Sequence, residues 1–162
     1  LLNEGIGKRS ERTMQSGLKQ PGLLAWLHLM RVFSRVQRRE AVHLGKYNLT
    51  LAQFDVLSRL SVSEGITQQA LADQLLVTKG NVCGLIDRLS EQGLVERRAD
   101  PEDRRANLLF LTPAGRALAV QVVPAHQQVL SELMSGLDSD EQRQLLVLLR
   151  KLDRSLAEAK GL

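Results

Sequence analysis

Residues 77–113 read VTKGNVCGLIDRLSEQGLVERRADPEDRRANLLFLTP, and the hydrophobic period changes inside them. Up to Leu89, apolar side chains return at Val82, Leu85, Ile86 and Leu89, the three-to-four-residue spacing of a helix with one buried face. Gly93 suits the position past a helix end, where a left-handed backbone costs glycine least. Then the period becomes two. Leu94-Val95-Glu96-Arg97-Arg98 and Asn107-Leu108-Leu109-Phe110-Leu111 read as short strands around a charged loop, Ala99 to Ala106. Thr112-Pro113 restarts a helix, with a capping hydroxyl and a proline at the first helical position.

Upstream, Thr67 can cap a short helix that buries Leu71 and Leu75. Only Leu76 and Val77 separate it from Thr78, which can cap the next. Gly65 ends the preceding segment, capped by Thr50 and carrying Leu51, Phe54, Leu57 and Leu60. Before it, Leu23, Leu27, Met30, Phe33 and Val36 mark a long helix to about Leu44. Residues 1–22 read as a flexible arm or a short accessory helix. Downstream, Pro124 predicts a kink or interruption. Asp138 with Glu141 resembles a capping box for a last helix with the seam Leu145, Leu148, Leu149, Leu152 and Leu156. There are no internal repeats or low-complexity tracts.

Helix, tight turn, helix and charged-tip hairpin form a winged helix-turn-helix. The fold class is mainly α with a small β-hairpin, flanked by long helices at both ends. In such a module the second helix enters the major groove and the hairpin reaches the neighbouring backbone or minor groove. On a helical wheel, Gly80, Gly84 and Asp87 face away from the apolar side, with Lys79, Asn81, Cys83 and Arg88 on the flanks. A helical glycine costs about 1 kcal/mol against alanine. Two on the outer face suit close approach to DNA; the competing reading is a weak surface helix. In the tip, Asp100 to Arg105, carboxylates can hold one guanidinium as a fork while another points outward. A solvated loop of mutually paired charges fits equally well.

Composition sets the outer bounds. The chain has 162 residues, 43% hydrophobic and 25% charged, enough to bury a real core. Aromatics at 3% are too few for a single-strand stacking platform. No apolar run is long enough to span a bilayer. The lone cysteine makes no internal disulfide, so a soluble, cytoplasmic protein is expected. Net charge is +4, unevenly placed: residues 1–40 hold eight basic and three acidic side chains, and the remaining 122 hold fourteen and fifteen. Such an excess fits nucleic acid or an anionic surface, and also many ordinary soluble proteins. No G-x-S-x-G, phosphate-binding glycine loop or H-E-x-x-H is present, so no enzyme is expected. His28, His43 and His126 lack metal-ligand spacing and read as surface or interface residues. No metal or cofactor is expected.

Val77-Thr78-Lys79-Gly80-Asn81-Val82 with Gly84-Leu85-Ile86-Asp87-Arg88-Leu89, and Asp100-Pro101 through Asp103-Arg104-Arg105 to Leu111-Thr112-Pro113, resemble MarR-type transcriptional regulators. The resemblance runs from about Leu23 to Ala159. It implies one domain over 23–162 behind an arm at 1–22. The winged module then occupies about 50–112, and dimerisation helices about 23–45 and 113–160. It implies a homodimer on a palindromic operator in double-stranded DNA, acting as a repressor and released by a small, often aromatic anionic effector. Lys79, Asn81 and Arg88 then contact bases or backbone, and Arg105 enters the minor groove, oriented by Asp103, with Arg104 as the alternative. Gln68, Thr78, Gly80 and Cys83 complete the implied DNA-contacting set. The implied effector pocket nominates Trp26, Met30, His43, Tyr47, Asp55 and Arg59. Trp26 and Met30, four apart on the apolar stripe, read first as plain core.

Cys83 stands where many relatives carry threonine, and the peroxide-sensing cysteine of some members has no counterpart. Asp55 matches an acidic residue of urate-responsive members, but Leu85 replaces their arginine. Cys83 near the amino end of its helix can favour a thiolate, but an inert small side chain in threonine's place is the preferred reading. Recognition helices of a DNA-bound dimer lie about 34 Å apart, which excludes a Cys83–Cys83 bond inside one DNA-competent dimer, since the bond needs α-carbons within about 7 Å. The rival reading is a regulator-like helical protein acting through protein–protein contact. An acidic recognition helix or missing wing arginines would favour it, and the sequence has neither.

Overall fold

In the computed structural model, residues 20–75, 79–101 and 106–158 are described, Lys79 by its backbone alone. The chain divides into two units, residues 1–42 and 43–162. The described part of the first is most of helix α1, Pro21–Gly45. It starts at Pro21, so Pro21 and Gly22 belong to the helix rather than to the expected arm. Proline suits a first turn because its missing N–H has no helical partner there.

In the second unit, α1 ends through Leu49, whose N–H bonds the Leu44 carbonyl at 3.1 Å, with Asn48 at φ 55°. Asparagine tolerates that left-handed conformation better than most residues. Helix α2, Leu51–Val62, opens with a capping box. Thr50 Oγ1 accepts from the Gln53 N–H at 3.3 Å, and Gln53 Oε1 accepts from the Thr50 N–H at 2.9 Å. Strand β1, Ile66–Thr67, leads into α3, Gln68–Leu75. Thr67 Oγ1 caps α3 by accepting from the Ala70 N–H at 3.1 Å. The turn at 76–78, with Thr78 as the expected cap, lies outside the described residues.

Helix α4, Lys79–Glu91, buries Val82, Ile86 and Leu89. Gly93 ends it at φ +69°, and the Leu94 N–H bonds the Leu89 carbonyl at 2.8 Å. That bond holds Leu94 in the cap, so β2 runs Val95–Ala99, one residue later than the period-two pattern begins. Strand β3, Asn107–Leu111, pairs antiparallel with β2 from Val95↔Leu111 to Ala99↔Asn107. It also pairs with β1 at Ile66↔Leu109 and Thr67↔Leu108. The hairpin is therefore part of a three-stranded sheet in the order β1-β3-β2. Two residues carry no period, so β1 leaves no sequence signal.

Helix α5, Pro113–Met134, is capped by Thr112, whose Oγ1 accepts from the Gly115 N–H at 3.0 Å and donates to the Gly93 carbonyl at 2.6 Å. A Cβ on Gly115 would stand 1.9 Å from the Leu94 carbonyl oxygen, so only glycine lets this turn pass. The interruption expected at Pro124 is absent: α5 is continuous through it. The missing hydrogen bond is offset by burial of Ala119, Val122 and His126 on the same helix, at roughly 1.5–3 kcal/mol for a fully buried valine-sized side chain. Helix α6, Ser139–Glu158, opens on the expected box: Asp138 Oδ1 accepts from the Glu141 N–H at 2.9 Å, and Glu141 Oε2 accepts from the Asp138 N–H. The core gathers Leu44, Val56, Leu57, Leu60, Leu71, Ile86, Leu89, Leu109 and Val122. No residue of α6 is buried.

Candidate nucleic-acid interface

The apolar side of α4 is used up by the core, which leaves Gly80, Asn81, Cys83, Asp87 and Arg88 exposed and Gly84 half-buried. A Cβ on Gly80 or Gly84 would meet nothing within 4 Å. Neither glycine is therefore demanded by packing within the chain. The surface they leave is low and backbone-rich, the shape a groove wall or phosphate can approach closely. Asn81, Cys83 and Arg88 stand around it.

The helix is tied to the hairpin. Arg97 Nη2 on β2 donates to Asp87 Oδ1 at 2.5 Å, and the Cys83 thiol lies 3.9 Å from Asp87 Oδ2. Beside it, Arg98 donates through Nε to Glu96 Oε1 at 3.0 Å, and its guanidinium sits 4.3 Å from the centre of the Phe110 ring. Exposed pairs contribute about 0.2–1 kcal/mol at most. Their consequence is orientation. Among the described residues of the hairpin, the arginines held by acids are thus in strand β2, and for Arg97 the helix supplies the carboxylate; ten residues separate Asp87 from Arg97, a spacing without a local signal. The tip bearing Asp103, Arg104 and Arg105 lies outside the described residues, as does Thr78.

Gln68 opens α3, half-buried, and its amide nitrogen has no acceptor among the described residues. Behind the sheet, Glu64 binds β3 to α5: its carboxylate accepts from the Leu111 N–H at 2.9 Å and from Arg116 Nη2 at 3.0 Å. Burial pushes the Glu64 carboxyl upward, but the Leu111 N–H, Arg116 and the more distant Arg98 outweigh it and hold it below the ordinary carboxylate value. An open cleft of about 680 Å³ lies alongside, lined by Glu96, Arg98, Leu111, Pro113, Arg116 and Val120. None of the nominated effector residues lines it.

Those six residues divide between the two units. In the first, Trp26 is 55% and Met30 39% exposed. The reading of these two as plain core is overturned: the stripe they belong to is uncovered in the single chain. In the second unit, the His43 and Tyr47 rings lie 5.5 Å apart, and Asp55 and Arg59 are on α2, both exposed. His126 is 6% exposed, 4.2 Å from the Phe54 ring and 6.3 Å from His43. A surface histidine is not what this is; its spacing from Ala119 and Val122, at i+7 and i+4, places it on the buried face of α5. Burial lowers the His43 pKa, and His126 and Lys46 lower it further. Its Nε2 has no partner among the described residues. Phe54 and His126, which pack beside His43, were not among the nominated residues.

Among the described residues no group of three or more His, Cys, Asp or Glu could hold a metal ion. No helix there is long and apolar enough to cross a membrane.

The sequence profile of the MarR family matches residues 47–106. The HTH-type transcriptional regulator YkoM of Bacillus subtilis is 33% identical over 129 residues, 77% of this chain and 84% of YkoM. A mutant MarR from E. coli complexed with operator DNA is similar in structure, with TM-score 0.73 and 32% identity, over 82% of this chain and 94% of that one. BpsR of Bordetella bronchiseptica, whose DNA binding is regulated by 6-hydroxynicotinic acid, also has TM-score 0.73 and 32% identity, over 84% and 94% of the two chains.

Proposed function

The chain belongs to the MarR family, and from that premise we propose that this DNA-binding transcriptional regulator is a homodimeric, cytoplasmic repressor of a palindromic operator, released by a small aromatic anion. Members of the family are regulators, not enzymes. The observation that carries the reading is the outer face of α4, where two glycines open on empty space beside exposed Asn81, Cys83 and Arg88. Glycine pairs on a helix weaken it without any compensating contact inside the chain, and a contact outside it supplies the reason.

The proposed DNA-contacting set is Gln68, Thr78, Lys79, Gly80, Asn81, Cys83 and Arg88, with Asp103, Arg104 and Arg105 at the wing tip. Dimerisation through helices at about 23–45 and 113–160, around a winged module at about 50–112, is supported by apolar side chains left exposed on both: Trp26, Val32 and Phe33 on α1, and Leu148, Leu152 and Leu156 on α6. Patches of this kind on a soluble chain mark interfaces. The effector reading draws on the regulation of BpsR by 6-hydroxynicotinic acid. Trp26, Met30, His43, Tyr47, Asp55 and Arg59 stay its nominated contacts.

The test combines light scattering with footprinting on a duplex selected from random sequence. A dimer protecting two half-sites about 10 bp apart is expected. Titrating 6-hydroxynicotinic acid and salicylate into that complex is expected to release it. A monomer, or protection of a single half-site, overturns the dimeric reading, and a complex indifferent to both anions overturns the effector class.

A further inference from the structure

Two charge distributions on this chain do not match. Residues 43–162, which hold the winged module, carry fourteen basic and fifteen acidic side chains, a net deficit of one. Residues 1–42 carry eight basic and three acidic, a surplus of five. Duplex DNA is a dense polyanion, and the sequence-independent part of affinity comes from cations that displace its counterions. A winged unit with no net positive charge is poorly supplied for that task.

Three of those five surplus charges lie on α1, four arginines against Glu40. Arg31, Arg35, Arg38 and Arg39 are all exposed on α1, and none of them forms an ion pair among the described residues. At 100° per residue, the four fall within one arc of the helix, with His28 beside them. The large apolar residues Trp26, Met30 and Phe33 lie on the far side, and so does Glu40, the only acid in α1. Arg31, Arg35 and Arg39 are successive i, i+4 neighbours. Like charges so placed repel and destabilise a helix. All four are arginine, none lysine, and the planar guanidinium fork matches phosphate oxygens two at a time.

We infer that the arginine face of α1 is a second DNA-contacting surface that binds the phosphate backbone without reading sequence, so that α4 supplies specificity and α1 a large share of the salt-dependent affinity. The inference rests on the chain being a duplex-DNA binder. Phosphodiester backbone is favoured over a lipid surface because the largest apolar side chains, Trp26, Met30 and Phe33, lie on the far side of the helix, and the large apolar residues within the arginine arc are only Leu24 and Val42. The α4 helix, with Lys79 and Arg88 against Asp87 and Glu91, adds no net charge of its own.

The test measures the full-length chain on a duplex selected from random sequence and on an unselected duplex of equal length, across a salt series. Three proteins are compared with wild type: Arg31→Gln with Arg35→Gln, Arg38→Gln with Arg39→Gln, and Arg88→Ala. Both arginine pairs are expected to lower the slope of log affinity against log salt by roughly one unit for each phosphate no longer neutralised. They weaken both duplexes alike, roughly tenfold at about 100 mM salt. Their melting temperatures hold or rise, because the i, i+4 repulsion is relieved. Arg88→Ala is expected to cut the preference for the selected duplex. Unchanged slopes in the arginine pairs, with wild type still binding, overturn the inference and leave the regulator reading standing. Failure of wild type to select any duplex overturns the regulator reading itself. Loss of binding to phosphatidylglycerol vesicles, with DNA slopes unchanged, assigns the face to membranes and also overturns the inference.

Discussion

Gly80 and Gly84 separate stability from function at single positions. An added methyl at either meets nothing within 4 Å, and neither glycine has a positive φ. Alanine in a helix interior is better than glycine by about 1 kcal/mol. Gly80→Ala and Gly84→Ala are therefore expected to raise the melting temperature while weakening operator binding, because the new methyl stands where the DNA must approach. A thermal melt beside a binding titration checks both. A variant that melts higher and binds as before shows that α4 does not make close contact at that glycine. Gly115 is the opposite case: its alanine variant drives a carbon to 1.9 Å from the Leu94 carbonyl oxygen and is expected to destabilise the fold outright. Both kinds of glycine look alike in the sequence. Only the surrounding atoms distinguish a position kept for a partner from one kept for a tight turn.

At the scale of elements, α4 and β2 meet through Asp87 and Arg97 at 2.5 Å, with side chains 52% and 28% exposed. Screening leaves such a pair little effect on global stability, under about 1 kcal/mol. Its larger effect is to hold the hairpin at one angle to the recognition helix. Asp87→Asn is expected to shift the melting temperature only slightly. It weakens operator binding severalfold, and a double variant with Arg97→Gln binds no more weakly than either single one. Independent, additive losses in that cycle would mean the two side chains act separately on DNA. The capping hydroxyls were all local signals: Thr50, Thr67 and Thr112 each accept a backbone N–H three residues ahead, and i-to-i+3 spacing is visible in a string of letters. The Asp87–Arg97 pair joins a helix to a strand and was not.

At the scale of the whole molecule, the depressed pKa values of His43 and Glu64 contribute to the acid side of stability. His43 titrates below its ordinary 6.5 because burial and the neighbouring His126 and Lys46 disfavour its charged form. Unfolded chain therefore binds a proton that the folded chain refuses, and stability is lost as pH falls from 6.5 through the folded value. Glu64 is also held low, so its contribution is present above its ordinary 4.5 and disappears as pH drops through the lower folded value. Melting temperature is expected to fall in two steps on acidification. His43→Phe removes the first and Glu64→Gln the second, whose upper-pH stability is lower throughout. A single step, unaffected by His43→Phe, would mean that His43 protonates equally in both states.

The succession of helices and paired strands, the caps at Thr50, Thr67, Thr112 and Asp138 and the apolar seams were legible in the letters, because each depends on neighbours within a few residues. So was the outward side of α4, where Gly80, Asn81, Cys83 and Arg88 follow from where Val82, Ile86 and Leu89 must point. Pairings between distant residues were decided only in three dimensions. Strand β1 exists because β3 offers it an edge, not because Ile66-Thr67 prefers extension. Helix α5 runs through Pro124 because Ala119, Val122 and His126 are buried on either side of it. His126 and Phe54 meet across 72 residues of chain at 4.2 Å. Local periodicity carries no information about such pairs: their energy comes from excluding water between surfaces that the backbone brings together only once the rest of the fold is in place.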